Sequence, residues 1–197
     1  MSKQVTVYYA LQSPWTYSGW ARLRELVAQS GASGHYRLIK IAPVFQASGT
    51  LMLAQRPKQR QAYRLMELRR WRDHLGVPLN FHPKHFPVDE SLAARMAIAH
   101  RQLGGDIAAF SQAMMTAVWL DERDLADRPT LLQIAREQGA DGQRLLEAAD
   151  KPAVRQEYDA NTQAAIDQGV FGMPTFVIEG ELFWGQDRLD FVARALA

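Results

Sequence analysis

The chain of 197 residues contains no cysteine. That absence excludes a disulfide, a thiolate metal site and a sulfur nucleophile of the protein's own, so any sulfur chemistry must use a thiol brought in from outside. An excess of one charge is missing too. The 23 basic residues stand against 21 acidic ones, a net +2, and no broad basic face for nucleic acid is expected. No apolar run approaches the roughly 18 residues of a membrane span, and Met1 to Ala10 lacks the charged, apolar and cleavage regions of an export signal. The expectation is a cytoplasmic protein that binds neither nucleic acid nor membrane. His82 and His85, with His74 nearby, lack a metal-ligating pattern, because Pro83 and Pro87 break any regular helical face and no acid completes a ligand set before Asp89. What is present is 47% hydrophobic residues, enough to bury a full core in one domain or in one domain with a sizeable insertion.

β-Branched and aromatic residues alternate from Lys3 to Ala10, as in a buried strand, and that character returns from His35 to Ala42. Between the two, a helix is predicted from Trp15 to about Ser30, ended by Gly31. Strand, helix and strand in so short a span imply a right-handed βαβ unit with parallel strands. From Pro57 to Gln168 helix follows helix, with breaks at Gly76-Val77-Pro78, His82 to Pro87, Gly104-Gly105, Asp127 to Pro129, Gly139 and Lys151-Pro152. Strand character resumes at Thr175 to Ile178, turns at Glu179-Gly180 and pairs back at Leu182 to Trp184, before a last helix from Asp187. The predicted class is α/β, a βαβ…ββα sheet domain at 1–50 and 169–197 with an all-helical insertion at 51–168. Pro43 to Gln55 is the one long stretch without clear periodicity, and it leads from the second strand toward the insertion.

Three short segments carry candidate chemistry. Ser13-Pro14 is a favoured helix start, an N-cap followed by proline in the first turn. Ser13-Pro14-Trp15-Thr16 also stands where thioredoxin-fold proteins carry Cys-x-x-Cys, which it resembles with a hydroxyl in place of each thiol. Gly172-Met173-Pro174-Thr175 precedes a strand; its proline is either an ordinary strand start or the cis proline that faces the first helix in thioredoxin folds and presents the Met173 backbone to an extended peptide. In Trp184-Gly185-Gln186-Asp187-Arg188, Asp187 either caps the final helix or joins the amides of a helix start in holding a zwitterionic amino-acid head group, with Gln186 adding a side-chain contact. Arg69-Arg70-Trp71-Arg72 reads as a solvated helix turn with Trp71 packed inward.

In this order the segments resemble the glutathione-dependent 2-hydroxychromene-2-carboxylate isomerases and the related kappa-class glutathione transferases. The resemblance spans essentially the whole chain. It is carried by Ser13-Pro14-Trp15-Thr16-Tyr17, Arg69-Arg70-Trp71 with Gly76-Val77-Pro78, Ala117-Val118-Trp119, and Gly169 to Phe176 through Phe183 to Leu189. It implies a thioredoxin-like sheet, glutathione as cofactor and a small aromatic carboxylate as substrate. By matching position it implies that Ser13 faces the glutathione sulfur, Met173 pairs with the cysteinyl backbone, and Trp184, Gly185, Gln186 and Asp187 hold the γ-glutamyl end. Relatives of this kind are often dimers. Where they show Gly-Asn and then a lysine three residues before a tyrosine, this chain has Ser48-Gly49-Thr50 and Arg60 before Tyr63. Arginine still holds a carboxylate, in a geometry of its own.

The implied reaction is a cis-trans isomerisation in which the glutathione thiolate adds to the substrate, permits rotation and leaves. Trp15, Phe45 and Phe86 are candidates for the wall over the ring, Thr50 and Arg60 for the loop and carboxylate contacts. A kappa-like transferase that consumes glutathione is the alternative, and a redox-inactive thioredoxin-like peptide binder is a third.

Overall fold

The protein is described by a computed structural model covering residues 3–197. Its first strand, β1 (Gln4–Tyr9), alternates as the sequence predicts. Val5, Val7 and Tyr9 enter the main core, while Tyr8 and Ala10 enter a second cluster on the opposite face. Helix α1 (Pro14–Ser30) starts at Ser13 with proline in its first turn and stops at Gly31, whose φ of 67° is the left-handed conformation glycine adopts without a Cβ penalty. Strand β2 (Ser33–Leu38) then pairs parallel to β1.

Here the structure departs from expectation. The second strand ends at Leu38, and Ile41–Ser48 forms helix α2. Pro43 sits in the first turn of α2, where a missing N–H loses no helical bond, and Gly49 closes the helix as Gly49 N–H donates to Gln46 and Thr50 N–H to Phe45. A single 3₁₀ turn, Leu53–Gln55, follows.

The helices α3 (Lys58–Leu75), α4 (Ser91–Gln102), α5 (Ile107–Trp119), α6 (Arg128–Glu137), α7 (Gly142–Ala149) and α8 (Pro152–Asp167) break at Gly76, Gly104-Gly105, Gly139 and Lys151-Pro152 as predicted, whereas α5 already ends at Trp119 and Pro129 lies in the first turn of α6. The last of them, α8, lies against β2 and α2. Strands β3 (Thr175–Ile178) and β4 (Glu181–Trp184) form the expected hairpin, and the sheet order is β2-β1-β3-β4, with only β1 and β2 parallel. After β4 comes a 3₁₀ turn, Gln186–Arg188, and only then α9 (Leu189–Leu196). Asp187 is therefore inside the 3₁₀ turn and not the cap of α9. Trp20 and Leu23 of α1 share the main core with Leu189 and Val192 of α9, whereas Val44 of α2 and Ala165 of α8 cover the other face. The Trp20 indole N–H donates to the Ala108 carbonyl at 2.9 Å, and the Tyr9 hydroxyl bonds Ser111 Oγ at 2.8 Å. Both tie α5 to the sheet domain.

Two features hold the loop between β1 and α1. Gly19 of α1 meets Gln186, and a Cβ at position 19 would lie 2.5 Å from the Gln186 Cβ. Glu90 is buried, and its carboxyl accepts the Gln12 N–H at 2.5 Å, beside Ser13. Burial pushes the Glu90 carboxyl up to about 8, against the opposing hydrogen bonds from Gln12 and Leu11.

For Gly19→Ala two terms compete. Alanine favours a helix interior by about 1 kcal/mol, while overpacking costs about 1–3 kcal/mol. The clash should win, because the obstructing atom is a Cβ and has no rotamer in which to swing aside; a lowered denaturant midpoint with unchanged m-value is expected. In Glu90→Gln an amide oxygen still accepts from Gln12 but no longer titrates. Folded Glu90 keeps its proton between about pH 5 and 8 while the unfolded chain releases it, so wild-type stability should fall across that window relative to Glu90→Gln, by on the order of a few kcal/mol. Denaturant titrations at pH 5, 6.5 and 8.5 read the difference, and a gap that does not change with pH would show that the carboxyl is ionised throughout.

Candidate functional site

Ser13 caps α1 at the end of the β1 loop. Its Oγ accepts the Thr16 N–H at 3.2 Å, so its one proton is left to donate, and the acceptor is the Met173 carbonyl at 3.2 Å. Hydroxyl hydrogen bonds centre near 2.7–2.8 Å, so this long bond holds the Ser13 proton weakly. The Met173-Pro174 bond is cis. The Pro174 carbonyl accepts the Gly185 N–H at 2.9 Å, which draws the segment after β4 onto the same turn.

Each residue of that segment has a distinct setting. The Trp184 indole is half-exposed, lies against the Phe171 ring with centroids 4.8 Å apart, and covers Gly172, where a Cβ would fall 2.3 Å from Nε1. Gly185 has φ 99°, a conformation open to glycine and strained for other residues. Gln186 is only 2% exposed, and its Oε1 is buried without a hydrogen-bond partner among the described residues. The Asp187 carboxylate accepts from Arg188 Nη1 at 2.7 Å near the surface.

A cleft of three lobes opens around these groups, and all three share Trp15, Arg56 and Met173. The lobe beside Trp184 to Arg188 has a volume of about 370 Å³ and reaches Arg60, Arg64 and Trp71. A second, of about 550 Å³, runs between Phe45, Thr50, Arg60 and Phe171. The innermost, of about 130 Å³, is bounded by Ser13, Phe45, Arg64 and Phe86. Ser13, Met173, Trp184, Gly185, Gln186 and Asp187 thus meet Trp15, Thr50, Arg60 and Phe86 around one concavity. Thr50 bonds Ser48 Oγ at 2.9 Å and lies at the rim.

Trp71 differs from its expectation. It is half-buried in the cleft wall rather than packed into the core. Arg69 and Arg72 both stack on Phe81 while Arg70 pairs with Glu67, so the basic run faces more than one way. His85 Nδ1 lies 3.6 Å from the Asp124 carboxylate and His82 is exposed, outside the cleft.

Arg56 and Arg64 are among the cleft residues that the sequence did not single out. Burial and the neighbouring Arg60 lower Arg56, and burial with the charge of Arg56 pushes Arg64 down to about 10. Their spacing was a readable signal: Arg56, Arg60 and Arg64 recur every four residues into α3, one stripe of a helix face. What hid it was the loop between α2 and α3, which offered no periodicity to extend.

The chain matches the family model of the DSBA-like thioredoxin domain over residues 4–197. It is 31% identical over 193 residues to the 2-hydroxychromene-2-carboxylate isomerase of Sphingobium xenophagum, covering 98% of this chain and 97% of that one. It is 23% identical over 212 residues to glutathione S-transferase kappa 1 of Homo sapiens, covering 100% and 92% of the two chains. The solved structure of a 2-hydroxychromene-2-carboxylate isomerase superposes with a TM-score of 0.77 at 27% identity over 98% of this chain and 94% of the other. A cysteine-free helix start facing a cis proline, in a chain related to these over its full length, places the protein in the DSBA-like thioredoxin-domain family and, within it, in the family of the 2-hydroxychromene-2-carboxylate isomerases.

Proposed function

We propose that the protein is a glutathione-dependent isomerase of an aromatic 2-hydroxychromene-2-carboxylate-type acid. The observation that carries this reading is the junction of Ser13, Met173 and Gln186. A hydroxyl with a loosely held proton, a peptide backbone at a cis proline and a buried unpartnered acceptor line one cleft. The fit to a γ-glutamyl tripeptide follows from the chemistry of these groups. Gln186 Oε1 needs a donor, and an ammonium beside Asp187 would be one. The N–H groups of the 3₁₀ turn face a carboxylate, and Met173 offers backbone to a peptide middle. Bound there, glutathione supplies a thiol able to add reversibly to a conjugated carbon.

The chain's own residues do the rest. Ser13 Oγ exchanges its long bond to the Met173 carbonyl for a charge-assisted bond to sulfur, worth roughly 1.5–3 kcal/mol, or about one to two pKa units of thiol acidity. The N-terminus of α1 adds about 0.3–1 kcal/mol. Against a free thiol near 8.5, that is enough to make thiolate a major species near neutrality without a protein base. Trp15 and Phe86 supply flat apolar walls, and Thr50 and Arg60 supply donors at the mouth. A conjugating transferase, the reading that similarity to the human kappa enzyme favours, would use the same thiol site, and an adduct accumulating in the mass spectrum of the product mixture would mark it.

Calorimetric titration near pH 7.5 should show saturable binding of reduced glutathione with proton release, and weaker binding of S-methyl glutathione. Absence of binding at millimolar concentration would overturn the proposal. Ser13→Ala should lose about 1 kcal/mol of stability as a lost cap but about ten- to hundredfold in turnover; unchanged kinetics would remove Ser13 from the mechanism. Asp187→Ala should weaken glutathione binding and leave the acidity of the bound thiol little changed, as read from thiolate absorbance against pH.

A further inference from the structure

Four guanidinium groups border the cleft; Arg188 is paired with Asp187, and the other three have no carboxylate partner among the described residues. Arg56, Arg60 and Arg64 take part in no ion pair among the described residues, although Arg70, Arg72 and Arg188 nearby do. Their settings differ. Arg60 is exposed at the mouth. Arg56 donates its Nε to the Leu51 carbonyl at 2.9 Å and rests on the Phe45 ring, 5.6 Å from its centroid. Arg64 is half-buried, lies 5.4 Å from the centroid of the Phe86 ring, and makes no hydrogen bond among the described residues. It borders the innermost lobe together with Ser13.

A guanidinium withdrawn from water with neither an anion nor an acceptor is unfavourable. Its stacking on Phe86 recovers part of that cost, and an incoming carboxylate would recover more, because the planar fork matches a carboxylate in a bidentate pair. Burial and Arg56 already push Arg64 toward the low end of the arginine range, which is the direction expected of a cation awaiting an anion.

We propose that Arg64, stacked on Phe86 beside Ser13, is the specificity-determining anchor of the second substrate, and that the inner lobe selects planar conjugated acids over neutral electrophiles of the same shape. The proposal rests on the reading of the cleft as a glutathione-dependent site. It assigns the substrate carboxylate to Arg64, deeper than Arg60, and leaves Arg56 and Arg60 to the glycyl carboxylate of the tripeptide and to the mouth. A neutral electrophile entering the lobe would leave the guanidinium buried and unpaired, so the lobe rejects it by desolvation rather than by shape. General conjugation of neutral electrophiles is thereby disfavoured in this chain.

The test uses trans-cinnamate and its neutral counterpart trans-cinnamamide as probes, titrated calorimetrically into the protein with and without reduced glutathione. The wild type should bind the acid at least about tenfold more tightly than the amide. Arg64→Gln should abolish that preference by weakening the acid while leaving reduced glutathione affinity within about twofold, and Arg64→Lys should restore part of it. Equal binding of acid and amide by the wild type would overturn the inference. So would an Arg64→Gln protein that keeps the preference, or one that loses glutathione instead, which would place Arg64 on the tripeptide. A wild type that prefers the acid but does not bind glutathione would support the anchor and overturn the glutathione reading, so the two failures are separable.

Discussion

The antiparallel pairing of β1 with β3 is the constraint on which the site depends. Its register sets Tyr8 opposite Thr175 and Thr6 opposite Val177. The chain leaving β1 at Tyr9 therefore turns into Ser13 beside the chain entering β3 from Met173 and Pro174, and two segments 160 positions apart come within hydrogen-bond distance. Register of this kind is strongly specified, because a one-residue slip would exchange the faces of every side chain on a strand buried on both sides. Val7 and Phe176 belong to one cluster and Tyr8 and Val177 to the other, and a slip would scramble both.

From that pairing the rest of the cleft follows by short connections. The hairpin carries β4 back so that Gly185 bonds Pro174, and the 3₁₀ turn then presses Gln186 against Gly19 of α1, where a Cβ would intrude. On the other side, Glu90 reaches from the start of α4 to hold Gln12, and Gln12 Oε1 accepts the Val88 N–H at 3.3 Å. The same short loop carries Phe86 to the inner lobe. A helical segment far from Ser13 in sequence is thus bound to the serine's own loop by a buried carboxyl, and the Phe86 ring and the Ser13 hydroxyl are held in one frame.

The electrostatics of the cleft divide along the same lines. Near Trp184 to Arg188 the groups are mixed: an unpartnered amide oxygen, a surface carboxylate and its arginine. Toward α3 they are mainly basic, three guanidinium groups with aromatic rings under two of them, while the Glu67 carboxylate there is taken up by Arg70. The two ends of the one concavity thus differ in charge, mixed beside the 3₁₀ turn and mainly basic beside α3.

Much of this was legible in the chain itself. The serine and proline before α1, the glycine after it and the Gly-Met-Pro-Thr segment state their local geometry through capping and φ preferences that need no partner. The lack of cysteine excluded redox chemistry at the helix start without any structure. Other features had no local signature. Ile41 to Ser48 looked like a strand and then a loop, because a short apolar run fits either period, and only packing against α8 and closure at Gly49 made it a helix. Trp71 read as core because its helix was taken alone; its surroundings became a cleft wall once α3 crossed α1. Glu90, Arg56 and Arg64 are ordinary charged residues in the sequence, and their significance comes from being withdrawn from water among particular neighbours. Capping and turns are properties of a few consecutive residues and were determined by the sequence. Burial, the pairing of distant charges and the shape of the cleft are properties of long-range packing, and only the tertiary structure decided them.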